Sequence, residues 1–462
     1  MPNVSVLERA QFAVAEQALR HLAKFAPRFS RARARKIDGA QLHPEMQLLL
    51  MLRDARRTKH WSAVSVAKAR AQMDSETRLP PEMRTSVGPV RDFSVGSPAG
   101  PLRLRHYAPD THEARPLVVF FHGGGFVVGN LDTHDEPCRV LCRIANVHVL
   151  SVDYRLAPEH PFPAAADDAL VAYRWALDHA LALGTNGKVA VAGDSAGGNL
   201  AATVAIQARN AGLPAPSLQL LIYPAVDRVG HHASQNSFGR DFLLSKEDVA
   251  WSTKHYVQAL PKSHPLVSPL LLSDHRGLGP AYVVTAGFDP LRDEGEAYAD
   301  ALTIGGNLVK RRRFKDLIHG FINITALSSA ARTAYAEICS TAARMLDAAQ
   351  PALVDTSVAT IAEPEAEPPH GARTITAILP KASPSDAGPA EADALEQTPA
   401  ESKPAVASEQ VVAATAQSAS EPSVTDSGEN TTSSPKPTAS KAKKAKGAHS
   451  STRSRKKRAK AG

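Results

Sequence analysis

Lys188-Val189-Ala190-Val191-Ala192-Gly193-Asp194-Ser195-Ala196-Gly197-Gly198-Asn199-Leu200-Ala201-Ala202-Thr203-Val204-Ala205-Ile206 reads as strand, tight turn and helix. Residues 189–192 form a short apolar run bounded by glycine, as a buried strand does, and 199–206 continue with helix formers. The turn between them has the Gly-x-Ser-x-Gly form of a nucleophile elbow, which lifts a serine hydroxyl to the carboxyl edge of a sheet. Alone that match is weak; the strand before it and the helix after it supply the setting the motif requires.

Working outward, Val118-Val119-Phe120-Phe121 is a strand running into His122-Gly123-Gly124-Gly125-Phe126. A glycine cluster there can aim backbone N–H groups at a developing oxyanion. A serine hydroxyl also needs an imidazole to take its proton and a carboxylate to orient that imidazole. The order on this scaffold is serine, acid, histidine. Downstream, the run from Ala281 to Leu291 is a strand delivering Asp289 just past its end. A strand over 310–314 then leads to His319 in the following loop. Asp293 would begin the next helix, so a capping or structural role is expected of it. Asp227, after Leu221-Ile222-Tyr223-Pro224, is the rival acid. Asp194 adjoins the serine on a tight turn and so points away from it; it is expected to tie down the glycine loop, with His122 anchoring that loop by hydrogen bonding. His160, His231, His232, His255, His264 and His275 have no metal-ligand spacing, so neither metal nor cofactor is expected.

Further strands are expected over 90–95, 102–107, 148–152 and 218–222, with helices over 164–182 and 294–304. Alternation of this kind predicts the α/β class: a mostly parallel central sheet with helices on both faces. Residues 4–25 and 46–57 show helical spacing, and Pro80-Pro81 ends that region. No internal repeat is visible.

Residues 351–462 contain no Phe, Trp or Tyr and only 12 Leu, Ile and Val, too few to build a core, and are expected to be disordered. Three regions follow: a helical extension and cap over 1–84, a catalytic domain over 85–350, and an Ala/Pro/Ser-rich tail over 351–462 with a basic end. The net charge of +8 belongs to the ends. Residues 1–60 carry 12 Lys and Arg against 5 Asp and Glu, residues 351–435 carry 3 against 13, and 436–462 carry 11 bases and no acid. The stretch between 61 and 350 is therefore neutral, and any polyanion binding belongs to the termini. Cys138, Cys142 and Cys339 give no disulfide framework and suit a reducing cytosol as buried thiols. Glu8, Arg9 and Glu16 interrupt the place of a signal-peptide core, and no stretch of 18 apolar residues exists, so a cytoplasmic chain without a transmembrane segment is expected.

With these residues in view, the chain resembles the hormone-sensitive-lipase-like branch of α/β-hydrolases, the GDXG lipolytic enzymes, from about residue 80 to 347. The resemblance is carried by the two glycine motifs and by Asp153-Tyr154-Arg155-Leu156-Ala157-Pro158-Glu159-His160-Pro161-Phe162-Pro163-Ala164-Ala165. It extends through Asp289-Pro290-Leu291-Arg292-Asp293-Glu294-Gly295 to His319-Gly320-Phe321. It implies Ser195 as nucleophile, Asp289 as acid and His319 as base, matching the order read from the residues. It further implies an oxyanion hole from the N–H groups of Gly124, Gly125 and Ala196, and a helical N-terminal cap. Asp316 stands where relatives commonly carry glycine, which bears on the shape of the histidine loop.

The expected substrate is a small-molecule ester with a short to medium acyl chain. Two alternatives stand beside it. One is a non-catalytic binding protein on the same scaffold, as in the plant gibberellin receptors, which lack a working triad histidine; His319 is present here. The other places the main role in the tail, where Lys441-Ala442-Lys443-Lys444-Ala445-Lys446 and Arg453-Ser454-Arg455-Lys456-Lys457-Arg458 resemble histone-like tails that bind nucleic acid or another polyanion. A homodimer is left open.

Overall fold

The computed structural model describes residues 36–348 apart from 38 and 259; the helix expected over 4–25 and the tail from 351, with its expected disorder, lie outside the described residues. Two helices precede the main sheet, α1 (Pro44–Ala55) and α2 (Val66–Thr77), the second opened by a Ser65 cap on the Lys68 N–H. The sheet then collects eight strands: β1 (Val90–Ser97), β2 (Gly100–Tyr107), β3 (Arg115–Phe121), β4 (His148–Val152), β5 (Thr185–Asp194), β6 (Gln219–Ile222), β7 (Ala281–Phe288) and β8 (Val309–Ile318). Their spatial order is β8-β7-β6-β5-β3-β4-β2-β1. The six strands from β8 to β4 are parallel, while β2 runs antiparallel to both β4 and β1. The expected fold class is therefore borne out.

β3 shows why the central strands read as continuous apolar runs. Leu117, Val119 and Phe121 face one core and Val118 and Phe120 the other. The second of these cores is closed by α3 (Asp135–Ala145) and by Ile338 and Cys339. The first is closed by α4 (Ala164–His179), α5 (Ala196–Asn210) and by Tyr298, Ala299 and Leu302. Between β6 and β7 lie the short α6 (Ala233–Phe238) and α7 (Lys246–Val257), the latter opened by a Ser245–Asp248 capping box. Among the described residues the last two helices are α8 (Arg292–Ile304), which carries Tyr298 to Leu302, and α9 (Ser329–Ala348), which carries Ile338 and Cys339.

The N-terminal helices are strapped to the parts of the body that carry the site. The His43 N–H donates to the Asp316 carbonyl at 2.9 Å, and the Glu45 carboxylate accepts from Ser328 Oγ at 2.6 Å and the Ala330 N–H at 3.1 Å, at the head of α9. Arg70 on α2 donates to the Val127 carbonyl at 2.8 Å and pairs with Glu159 at 2.6 Å. His60 meets Asp248 on α7 at 2.7 Å, and the Ser62 N–H donates to the same carboxylate at 2.9 Å.

Candidate active site

Ser195 stands between β5 and α5 with φ +56° and ψ −116°, a left-handed conformation costly for a residue with a Cβ. The surrounding backbone holds it there: its N–H donates to the Ile222 carbonyl at 2.9 Å, and its carbonyl accepts from Ala225 N–H and Asn199 N–H, each at 3.1 Å. The turn leaves no room for side chains at its glycines. A Cβ on Gly197 would strike the Phe121 carbonyl, and one on Gly193 would strike Gly197 itself.

Two later strands bring their terminal residues to the hydroxyl. β7 ends at Phe288, and the fully buried Asp289 follows, with Oδ1 accepting from the Leu291 N–H at 2.8 Å. β8 ends at Ile318, and His319 follows, in a turn that Gly320 completes at φ +76°. His319 Nδ1 lies 2.8 Å from Asp289 Oδ2, and its Nε2 lies 3.0 Å from Ser195 Oγ. Residues 195, 289 and 319 thus form one hydrogen-bonded chain. The Tyr223 ring, 4.6 Å from the His319 ring, backs the imidazole.

The glycine loop after β3 is held from beneath. The Gly123 N–H donates to Asp194 Oδ1 at 2.8 Å, and His134 Nε2 lies 3.1 Å from the same oxygen. Burial alone would raise the Asp194 carboxyl. The charge and hydrogen bond of His134 outweigh burial, aided by His319 and the Gly123 N–H, and hold it below the ordinary carboxylate range. His122 is fully buried, which together with neighbouring His134 pushes its pKa down to about 3. It is therefore a neutral ring, with Nδ1 2.8 Å from the Gly123 carbonyl and its face stacked on Tyr154 at 4.2 Å. The Tyr154 hydroxyl donates to the His122 carbonyl at 2.7 Å. Gly124 (φ +124°) and Gly125 (φ +64°) complete the loop, and a Cβ on Gly124 would run into the Val128 carbonyl. Ala196, fully buried, opens α5. From above, Ser252 on α7 lies against Gly125.

The rival acids have other partners. Asp227 accepts from the Val229 and Gly230 N–H groups at 2.9 Å each and pairs with His232 at 2.9 Å. Asp293 accepts from the Ser234 N–H at 2.8 Å and pairs with Arg292, joining α8 to α6 rather than capping its own helix. His134 escaped the sequence reading. It is twelve residues from His122 with no motif around it, and only the folding of α3 beneath the loop brings it to Asp194. Among the described residues no group of three or more His, Cys, Asp or Glu is placed to hold a metal ion, and no helix is long and apolar enough to cross a membrane.

Comparison with known proteins agrees with this geometry. Residues 118–323 match a family described as the α/β hydrolase fold. The carboxylic ester hydrolase LipN of Mycobacterium tuberculosis is 44% identical over 318 residues, covering 66% of this chain and 83% of that protein. An ethyl acetate hydrolase of Pseudomonas putida is 35% identical over 62% of this chain and 93% of its own length. Among solved structures, an esterase of Pyrobaculum calidifontis matches with a TM-score of 0.60 at 40% identity, over 64% of this chain and 98% of that one. Sheet order, serine turn and relatives agree: the chain belongs to the hormone-sensitive-lipase-like family of α/β-hydrolases and is a serine hydrolase of carboxylic esters.

Proposed function

We propose that Ser195, His319 and Asp289 are nucleophile, general base and orienting acid, and that esters of short to medium acyl chains are cleaved through an acyl-enzyme. The observation that carries this reading is the imidazole of His319, 3.0 Å from Ser195 Oγ on one side and 2.8 Å from Asp289 Oδ2 on the other. Ser195 Oγ attacks the carbonyl carbon while His319 Nε2 takes its proton. The carbonyl oxygen becomes an oxyanion received by the N–H groups of Gly124, Gly125 and Ala196. The intermediate then collapses, and the His319 proton passes to the departing alkoxide, which leaves as the alcohol. A water molecule repeats the sequence on the acyl-serine, releasing the carboxylic acid. The chain-length assignment draws support from the relative named for ethyl acetate, a short ester. The catalytic unit is assigned to 85–350 with 1–84 as its cap, and the three free, buried cysteines fit a reducing cytosol.

A chromogenic ester panel of graded acyl length tests both the chemistry and the preference. Ser195→Ala and His319→Ala each lower turnover by roughly 10⁴ to 10⁶, and the double variant is little worse, because the groups act as a unit. Asp289→Asn lowers it by about 10⁴, and Asp227→Asn by far less. A Ser195→Ala enzyme retaining more than a few per cent of activity overturns the nucleophile. A larger loss at Asp227 than at Asp289 moves the acid.

A further inference from the structure

We propose that Arg228, together with Tyr256 and Glu294, forms a subsite beside the oxyanion loop that takes a carboxylate carried by the ester substrate. The proposal rests on the ester-hydrolase reading above and names a class of substrate for it.

The segment after β6 is fixed at every residue. The Ala225 N–H donates to the Ser195 carbonyl at 3.1 Å, Val226 and Asp227 N–H groups to Glu294 Oε1 at 2.8 and 3.2 Å, and the Arg228 N–H to Ser268 Oγ at 2.9 Å. Arg228 therefore projects from a rigid frame that begins at the nucleophile. Its guanidinium lies 5.9 Å from the centre of the Phe126 ring, the residue directly after Gly125. Phe126 in turn stacks at 3.7 Å on Tyr256 of α7, the helix whose Ser252 covers Gly125. These contacts place the guanidinium among the oxyanion loop, the nucleophile segment and α7.

Other half-buried arginines are held by carboxylates or carbonyls: Arg105 by Asp92 at 2.6 Å, Arg155 by Asp168 at 2.8 Å, Arg139 by Asp135 at 2.8 Å, and Arg209 by the Asp274 carbonyl at 2.7 Å. Arg228 makes no side-chain hydrogen bond and no ion pair with any described residue, and its side chain keeps partial exposure. Two neighbours within its electrostatic reach are also unpartnered and fully buried: Tyr256 Oη and Glu294 Oε2. Burial raises the Glu294 carboxyl to about 8 despite the opposing charge of Arg228. At neutral pH it is thus mostly protonated, so it presents an O–H and leaves the Arg228 charge uncancelled. The nearest ionised acid, Asp227, has its oxygens engaged by His232, Val229 and Gly230. The guanidinium fork, the Tyr256 phenol and the Glu294 Oε2 hydroxyl are unpartnered donors waiting for an acceptor. A planar carboxylate fits the fork in a bidentate way. The groove at the β8 edge offers no such opportunity, because Arg311, Arg312 and Arg313 are already paired with Asp300, Glu337 and Glu296.

The test compares matched substrates on the full chain. Mono(4-nitrophenyl) succinate, glutarate and adipate carry the carboxylate on the acyl side; their methyl-capped diesters are neutral counterparts. 4-Carboxyphenyl butyrate against its methyl ester places the charge on the alcohol side. The readout is the ratio of kcat/KM for each charged substrate to its neutral partner. For at least one pair, Arg228→Gln is expected to lower that ratio by about 10-fold to 100-fold, mainly through KM, as loss of a charge-assisted bond requires. Arg228→Lys should fall between, and added salt should lower the ratio in the unaltered enzyme. Ratios unchanged within about twofold for every pair overturn the subsite and leave Arg228 as a cation solvated by buried water. If Arg228→Gln fails to fold, a ratio indifferent to both Arg228→Lys and salt overturns it equally. Failure of the unaltered enzyme to cleave the neutral esters would instead count against ester hydrolysis itself.

Discussion

Asp194 and His134 together hold a loop that neither belongs to. The carboxylate beside Ser195 accepts the Gly123 N–H at 2.8 Å, and the His134 ring lies 3.1 Å from the same oxygen in a fully buried setting. Removing the ring leaves a buried carboxylate with one partner fewer, and the loop that presents Gly124 and Gly125 loses its seat. His134→Asn is therefore expected to lower kcat by about 10-fold to 100-fold while KM stays within a few-fold, since donors displaced from the transition state cost turnover rather than ground-state binding. Steady-state kinetics on a neutral ester checks this; a loss carried by KM alone would place His134 elsewhere in the mechanism. Asp194 was legible from its place on the turn, where a side chain beside Ser195 must point away from it. His134 was not, because its contact depends on the packing of α3 under β3, which no spacing in the sequence encodes.

Elements were legible where one residue pattern met one environment, and blurred where it did not. β5 reads as 189–192 but runs from Thr185 to Asp194. Asn186, Gly187 and Lys188 form the irregularity between the Arg115–Thr185 and Leu117–Val189 pairs with β3. β8 reads as 310–314 but continues to Ile318 past an irregularity after Phe314, which sets His319 at its end. Its charged run Lys310 to Arg313 is tolerated because, among the described residues, the strand stands at the edge of the sheet. The strap between His60 and α7 was invisible as well, and it titrates. Asp248 raises the His60 imidazole above its ordinary value through its hydrogen bond. Burial alone would raise Asp248, but His60, Ser62 and Ser245 outweigh it and bring it to about 2. The stabilisation from His60 is complete below about 6.5 and is lost as pH rises through its elevated pKa. That from Asp248 is complete above about 4 and is lost as pH falls toward 2. His60→Ala should therefore lower Tm at pH 6, with a loss of no more than about 1 kcal/mol of stability because the His60 end of the pair reaches solvent. The gap should narrow by pH 9, and an equal gap at both pH values would show that the strap does not titrate.

At the scale of the whole molecule, charge and chemistry are separated along the chain. The partners of Ser195 are complete by His319, and the cores close with α9 at Ala348. The 11 bases of 436–462 lie beyond both. A chain ending at Gln350 is expected to keep its Tm and its hydrolysis of soluble short esters while losing retention on heparin or DNA. Changing the 11 tail bases to glutamine should weaken polyanion binding and flatten its salt dependence, because fewer counterions are released. Unaltered retention would dismiss the tail as an anchor, and lost ester hydrolysis would move the boundary of the catalytic unit.

The strap from residues 43–45 to Asp316 and the head of α9 also orders events in time. The first of these residues leaves the ribosome roughly 270 positions before its partners, an interval of about 15 to 60 s at ordinary elongation rates. Ser195 emerges about 150 positions into that interval and waits about 124 more for His319, so for a time the serine turn stands without its imidazole. The imidazole of His319 comes within reach only as β8 is completed and residues 43–45 find their seat, so a stalled or prematurely released chain carries Ser195 without its hydrogen-bonded partner.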